Sequence, residues 1–305
     1  MSNPRQTIPE EYRRAFQDNV EQAIQQDTAK LASQTRVMPF SGKEKVYHNL
    51  EETSVEVKGR LQKSTPVEAG FYNRKATKTE YKKQFIFDQN DDEFLAELGT
   101  PTGEVITSIL SARARLIDTL TVQAVTATVY GGPEPYTTAL TLPSAQQVAV
   151  DYVASGSATN SGLTPQKIIK AVSILEEGEV DPLQEEVCIT INPKMKLDLM
   201  TYVETSPNDV WANMVSAWLE GKDKKLFGLT PVMTNRVEND SATDIDTCCL
   251  WSKSQGIYSA PGGVKTHIDI RADLDHATQV SVYFMESFLR RYDEAVATIA
   301  CDRTP

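Results

Sequence analysis

Residues 100–133 read TPTGEVITSILSARARLIDTLTVQAVTATVYGGP. Val105, Ile106, Ile109, Leu110, Leu116, Ile117, Leu120, Ala124 and Val125 recur at helical spacing. Thr100 offers an N-cap oxygen, and Pro101 suits a first helical turn. Gly131-Gly132-Pro133 stops the pattern. The spacing predicts one helix from Pro101 to Thr128, about 28 residues and roughly 42 Å at ~1.5 Å per residue. That is long for a globular protein. Arg113 and Arg115 lie in its middle.

On the N-terminal side the chain changes character. Residues 45–88 read as strands: Val55-Glu56-Val57-Lys58 alternates, as does Phe85-Ile86-Phe87 with its flanks. Lys63-Ser64-Thr65-Pro66 and Glu68-Ala69-Gly70 between them are turn material. The pattern predicts one long hairpin of about thirty residues. A lone two-stranded hairpin is marginal in water, so such an arm needs another surface to rest on. Further upstream, Tyr12, Phe16, Val20, Ile24 and Leu31 keep one helical face, with Pro9 near the start of the helix they predict.

On the C-terminal side helices and strands alternate. Thr164-Pro165 opens a helix through Ile168, Ile169, Val172 and Leu175, ended near Gly178. Glu186 to Ile191 is a predicted strand with Val187, Ile189 and Ile191 on one face. A short helix is predicted from Pro193 to Met200, and another from Pro207 with Trp211, Met214, Val215 and Trp218 on its face. Strands are predicted at Leu226–Thr234 and Cys248–Trp251, and two more at Val280–Leu289 and Glu294–Cys301, joined at Arg290-Arg291-Tyr292. The expected class is α+β.

Charge is distributed unevenly. The 305 residues carry 31 Lys+Arg and 42 Asp+Glu, a formal charge of −11. Residues 56–83 hold eight basic side chains, Lys58, Arg60, Lys63, Arg74, Lys75, Lys78, Lys82 and Lys83, against three acids, a local charge of +5. The remainder therefore carries −16. Acid follows at once in Asp88, Asp91, Asp92, Glu93 and Glu97. The balance argues against tight nonspecific binding of nucleic acid, which needs a cationic surface. The hairpin aromatics Phe71, Tyr72 and Tyr81 do not interleave with the cations as a stacking platform would require. The favoured reading of the basic hairpin is electrostatic docking on an acidic partner, another copy of this chain among the options. Solubility is the competing reading.

Catalytic patterns are missing from the sequence. No GxGxxG, GxxxxGK[ST] or GxSxG occurs. Lys222 to Lys225 reads as a solvated loop. His267-Ile268-Asp269 and Asp273-Leu274-Asp275-His276 have ligand types for a divalent ion, but an exposed polar turn is the preferred reading, and neither metal nor cofactor is expected. Cys188, Cys248, Cys249 and Cys301 lack CxxC spacing and are expected to be reduced and mostly buried. The polar start, Met1 to Gln6, has no signal-peptide core, and no run of about 18 apolar residues is present.

The order of these elements resembles the major capsid proteins of tailed bacteriophages, the Johnson fold. Phe85-Ile86-Phe87-Asp88 with Asp91-Asp92 is similar to the strand leaving that family's extended loop. Phe227-Gly228-Leu229-Thr230-Pro231-Val232 is similar to an axial-domain strand, and Arg290-Arg291-Tyr292-Asp293-Glu294 with Ala297-Thr298-Ile299 to the closing strand. The resemblance implies an N-terminal arm at 1–44, an extended loop and its base at 45–88, and a peripheral domain with a spine helix at 89–129. It also implies an axial domain at 130–265 and peripheral closing strands at 266–305. The implied function is structural, not enzymatic: self-assembly into hexamers and pentamers of an icosahedral shell around double-stranded DNA, contacted only weakly. Lys58, Arg60, Lys63, Arg74, Lys75, Lys78, Lys82 and Lys83 would dock on a neighbour, with Asp88, Asp91, Asp92, Glu93 and Glu97 as acidic counterparts. Implied partners are a separate scaffolding protein, since the arm is short, together with a portal and decoration proteins, and no membrane. The implied location is the virion, assembled in the host cytoplasm. The alternatives are an encapsulin-like compartment, an α+β enzyme using His267 to His276, and a monomeric binding module.

Overall fold

A computed structural model describes residues 26, 28–50, 53, 55, 57, 58, 60, 68, 70–87, 102–154, 156, 159–206, 210–274 and 276–303. The N-terminal helix read from the sequence lies outside them. In chain order the strands are β1 (Arg36–Val37), β2 (Glu44–Leu50), β3 (Phe71–Thr77), β4 (Thr79–Phe87), β5 (Val129–Gly131), β6 (Thr138–Leu140), β7 (Gln147–Val148) and β8 (Val187–Ile191). They continue with β9 (Thr230–Met233), β10 (Glu238–Asp240), β11 (Ile245–Ser252), β12 (Ile257–Ser259), β13 (Lys265–Arg271), β14 (Ala277–Glu286), β15 (Phe288–Arg290) and β16 (Val296–Asp302). The α-helices are α1 (Thr102–Thr126), α2 (Pro165–Glu177), α3 (Pro193–Thr205) and α4 (Val210–Leu219). The chain is α+β, as its sequence predicts.

Local chemistry explains where α2 and α3 begin. Thr164 caps α2 by accepting from the Lys167 amide, with Pro165 in the first turn. Asn192 caps α3 by accepting from the Met195 amide at 2.7 Å, with Pro193 behind it. The Gly178 amide closes α2 on the Ile174 carbonyl. α3 runs five residues beyond the expected Met200, to Thr205.

The chain divides into two compact units, and the division falls within α1. One unit holds 1–29, 80–116 and 262–285. Its sheet runs β13-β14-β4. Ile109 and Leu116 of α1 pack there with Val282, Phe284, Tyr81 and Phe85. Tyr81 stacks on Phe284 at 5.7 Å between ring centres.

The second unit holds 30–79, 117–261 and 286–305. Its largest sheet runs β7-β16-β11-β8-β9, with β10 on β11, and has both parallel and antiparallel pairs. Smaller sheets run β2-β3-β5-β6 and β1-β12-β15. β8 differs from the one-faced strand expected: all five of its residues are buried. Val187, Ile189 and Ile191 enter one apolar cluster with α2 and α3, while Cys188 enters another with Val122, Val125, Trp251 and Val296. Thr190 is tolerated there because its hydroxyl accepts from the Cys249 amide at 3.0 Å and donates to the Cys249 carbonyl. The chain enters this unit through a clamp, in which Asp118 accepts from the backbone amides of Lys30 and Leu31 at 3.1 and 2.9 Å.

Three strand expectations are corrected. Among the described residues, 55, 57 and 58 lie in no strand and do not pair with 85–87. β2 pairs β3, from Glu44↔Thr77 to Leu50↔Phe71, and 85–87 belongs to β4 in another sheet. Only Lys78 separates β3 from β4, so the chain passes between sheets almost without a break. Alternation sets a strand's faces and leaves its partner open. The single strand expected over Val280–Leu289 is split into β14 and β15, and β15 joins β12 while β16 joins β11. Residues 267–276 are not one turn, because His267 and Asp269 sit within β13.

Candidate functional site

Two buried cations of the second unit, Arg74 and Arg290, meet the half-buried Asp293 at one node. Arg74 projects from β3, Arg290 ends β15, and Asp293 lies just beyond it. Arg74 grips Asp293 with two parallel bonds, Nη2 to Oδ2 at 2.7 Å and Nη1 to Oδ1 at 3.0 Å. Arg290 Nε donates to Asp293 Oδ1 at 2.7 Å. The guanidinium of Arg290 is fully buried. It also donates to the carbonyls of Val125 (2.6 Å), Ala127 (2.8 Å) and Leu140 (3.1 Å). Val125 and Ala127 stand at the C-terminal end of α1, where carbonyls lack helical partners and a cation is favoured.

One carboxylate thus joins the base of the β2–β3 hairpin, the end of the long helix and the β5–β6 hairpin. Burial pushes the Asp293 carboxyl up, but the bonds and charges of Arg74 and Arg290 outweigh it and leave it below the ordinary carboxylate value. A buried ion cluster of this kind is weak evidence for stability and better evidence for a fixed geometry. Next to it Arg291 lies over the rings of Tyr47 (5.0 Å), Tyr292 (5.3 Å) and Tyr258 (5.6 Å) and donates to the His48 carbonyl at 3.1 Å.

A second buried cation is Lys167. Its ammonium donates to the carbonyls of Val150 and Ser161 at 2.7 Å and of Gly162 and Ala300 at 3.1 Å. Burial lowers its pKa. It ties the first turn of α2 to β16 and to the segment between β7 and α2. The sequence does not single out Lys167 or the Arg290 node as sites. Their partners are mostly backbone carbonyls from distant segments, and these leave no side-chain pattern. The charged run 290–294 beside strongly apolar strands is the one available signal.

The eight basic residues of 56–83 fall into different environments. Lys58, Arg60, Lys82 and Lys83 are exposed. Lys63 lies outside the described residues, as do Asp88, Asp91, Asp92, Glu93 and Glu97. Lys75 faces Glu44 at 3.7 Å. Lys78 donates to the Phe40 carbonyl and lies 4.3 Å from the centre of that ring. Arg74 is 4% exposed and committed to Asp293, so its place among exposed docking cations is corrected. The strand period turns Arg74 inward and Lys75 to the other face.

No group of three or more His, Cys, Asp or Glu side chains gathers among the described residues. The His267 ring lies edge-on to Tyr283, and Asp273 is held by Arg271, which brings its carboxyl down to about 2. All four cysteines are free and buried, and burial pushes their thiols up, Cys301 to about 12. A cavity of about 280 Å³ is lined by Thr126, Thr141, Leu142, Gln147, Val148, Thr247, Thr298 and Ala300, with no acid, base or thiol in its wall. No helix among the described residues is long and apolar enough to cross a membrane.

Known proteins resemble this chain over nearly its whole length. The family model for phage capsid proteins matches residues 8–303. The capsid structure of the cyanophage P-SCSP1u superposes with a TM-score of 0.67 at 14% identity, over 94% of this chain and 91% of that one. The capsid asymmetric unit of cyanophage Pam1 gives 0.66 at 12% identity, over 95% and 96%. The capsid of Ralstonia phage GP4 gives 0.64 at 10% identity, over 93% and 94%. Identities this low speak to the fold alone. No curated protein sequence matches the chain.

Proposed function

The chain belongs to the phage capsid protein family, and from that premise we propose that copies of it assemble as hexamers and pentamers into an icosahedral shell that encloses double-stranded DNA. It is a structural protein of the phage virion, a major capsid protein. The observation that carries the proposal is the family match over residues 8–303, nearly the whole chain. The acidic balance fits a shell that lines packed DNA without gripping it. On this reading 1–44 is the N-terminal arm, 45–88 the extended loop with its base, 89–129 the spine-helix region, 130–265 the axial domain and 266–305 the closing strands. A separate scaffolding protein, a portal and decoration proteins complete the particle, which assembles in the host cytoplasm.

Docking of the extended loop falls to the exposed cations that have no carboxylate or carbonyl partner among the described residues. Lys58, Arg60, Lys82 and Lys83 take this role with Lys63, and the acids at 88–97 of a neighbour receive them. Each exposed pair is worth only ~0–1 kcal/mol, but repetition at every contact sets register. Lys75 and Lys78, with partners at Glu44 and Phe40, contribute less. The reading is tested by sedimentation of the expressed chain, alone and with the scaffolding protein of its phage. A boundary at the size of a closed shell is expected. A chain that stays monomeric under both conditions would contradict it.

A further inference from the structure

β13 stands at the end of its sheet, and among the described residues no strand pairs with its outer edge. Six of its seven residues are exposed and Arg271 is half-buried. An open edge of this length offers a row of free backbone donors and acceptors to another chain. Ile268 and Ile270 are 56% and 71% exposed. They share a face with Thr266, as their partners Val280, Thr278 and Val282 on β14 share theirs. Lys265, His267, Asp269 and Arg271 form the other face.

We infer that β13 pairs antiparallel with β13 of a second copy about a two-fold axis through Ile268, which joins two three-stranded sheets into one of six. The inference rests on the shell reading, because an icosahedral shell supplies two-fold contacts between copies. The strand's own sequence argues for the register. Centred on Ile268, the pairing uses all seven residues. It places Ile268 against Ile268 of the partner subunit and Thr266 against Ile270 of the partner subunit, all on the apolar face. On the other face His267 meets Asp269 of the partner subunit, and the two-fold makes that contact twice. Lys265 meets Arg271 of the partner subunit, a like-charge pair. Arg271 is already neutralised within its own chain by Asp273 (2.7 and 2.5 Å) and holds Gln279 at 2.7 Å. Centring on Asp269 would oppose two carboxylates and set His267 against Arg271. Centring on His267 would leave Ile270, the most exposed apolar residue of the strand, unpaired. Such a self-complementary edge makes an isologous contact, in which one surface serves both partners.

The test uses assembled particles. Directly opposed residues of antiparallel strands bring their Cβ atoms within ~4.5–5.5 Å, close to disulfide reach. Particles of Ile268→Cys should shift most of the chain to dimer mass on mild oxidation, read on a non-reducing gel. Thr266→Cys and Ile270→Cys, each opposed by a different residue, should stay monomeric on the gel. The four native thiols are buried and give no background. A second pair of variants covers failure of the first to assemble. His267→Asp should lower particle yield by opposing carboxylates twice, and adding Asp269→His should restore it. Ile268→Cys particles that link no better than Thr266→Cys particles, or a double swap that yields no more than His267→Asp alone, would overturn the inference and leave the shell reading standing. If the unmodified chain forms no particles, the shell reading falls and this inference falls with it.

Discussion

Asp293 shows how much one residue can organise. Two guanidiniums share its carboxylate, and one of them also holds the end of α1. Removing the charge while keeping the shape leaves both cations buried without their anion. Asp293→Asn should therefore destabilise the subunit by ~3–5 kcal/mol, read as a lower urea midpoint at constant slope. The pH dependence has a definite sign. The folded carboxyl lies below its unfolded value, so its contribution is complete above the unfolded value of about 4. It is lost as pH falls through the lowered folded value. The Asn variant should lack this part of the acid limb. Lys167→Met tests the second buried cation: it orphans several carbonyls, each costing ~1–3 kcal/mol, and should also lower the midpoint. Neither residue's role is legible in the sequence. Arg74 sits in a basic run that looks uniformly exposed, and only the pleat of β3 turns it inward.

Elements are legible where local chemistry fixes them. Thr164-Pro165 and Asn192-Pro193 each place a cap and a first-turn proline side by side, and both helices start there. The stripe across 105–125 locates α1 to within a few residues. Pairing is less legible, because a strand's alternation names its faces without naming its neighbour. So a hairpin within 45–88 can be read from the sequence while its strands are misassigned, and β13 reads as turn because its polar residues outnumber its isoleucines. The revised arm makes its own prediction. Reversing Lys58, Arg60, Lys82 and Lys83 to Glu together should reduce particle yield, since these cations have no carboxylate partner among the described residues. The yield of the unmodified chain should fall with added salt, as exposed pairs are screened beyond ~8–10 Å. Full yield of the reversed variant at low salt would exclude electrostatic docking by this loop.

For the whole molecule, the uneven charge becomes more specific. The +5 of residues 56–83 is not one surface. Part of it is buried in the Asp293 node, part is paired along β2 and β3, and part faces solvent. What is legible at this scale is the order of elements, which resembles a capsid protein although identity to the solved capsids is as low as 10–14%. A fold of this kind is held by the sequence of long helix, arm and mixed sheets more than by any short motif. Whether the chain's main partner is itself can be seen by electron microscopy of the purified, expressed protein. Closed, hollow particles with rings of six and five subunits in their walls are expected. A field of single subunits, under conditions where the phage's scaffolding protein is also supplied, would contradict self-assembly.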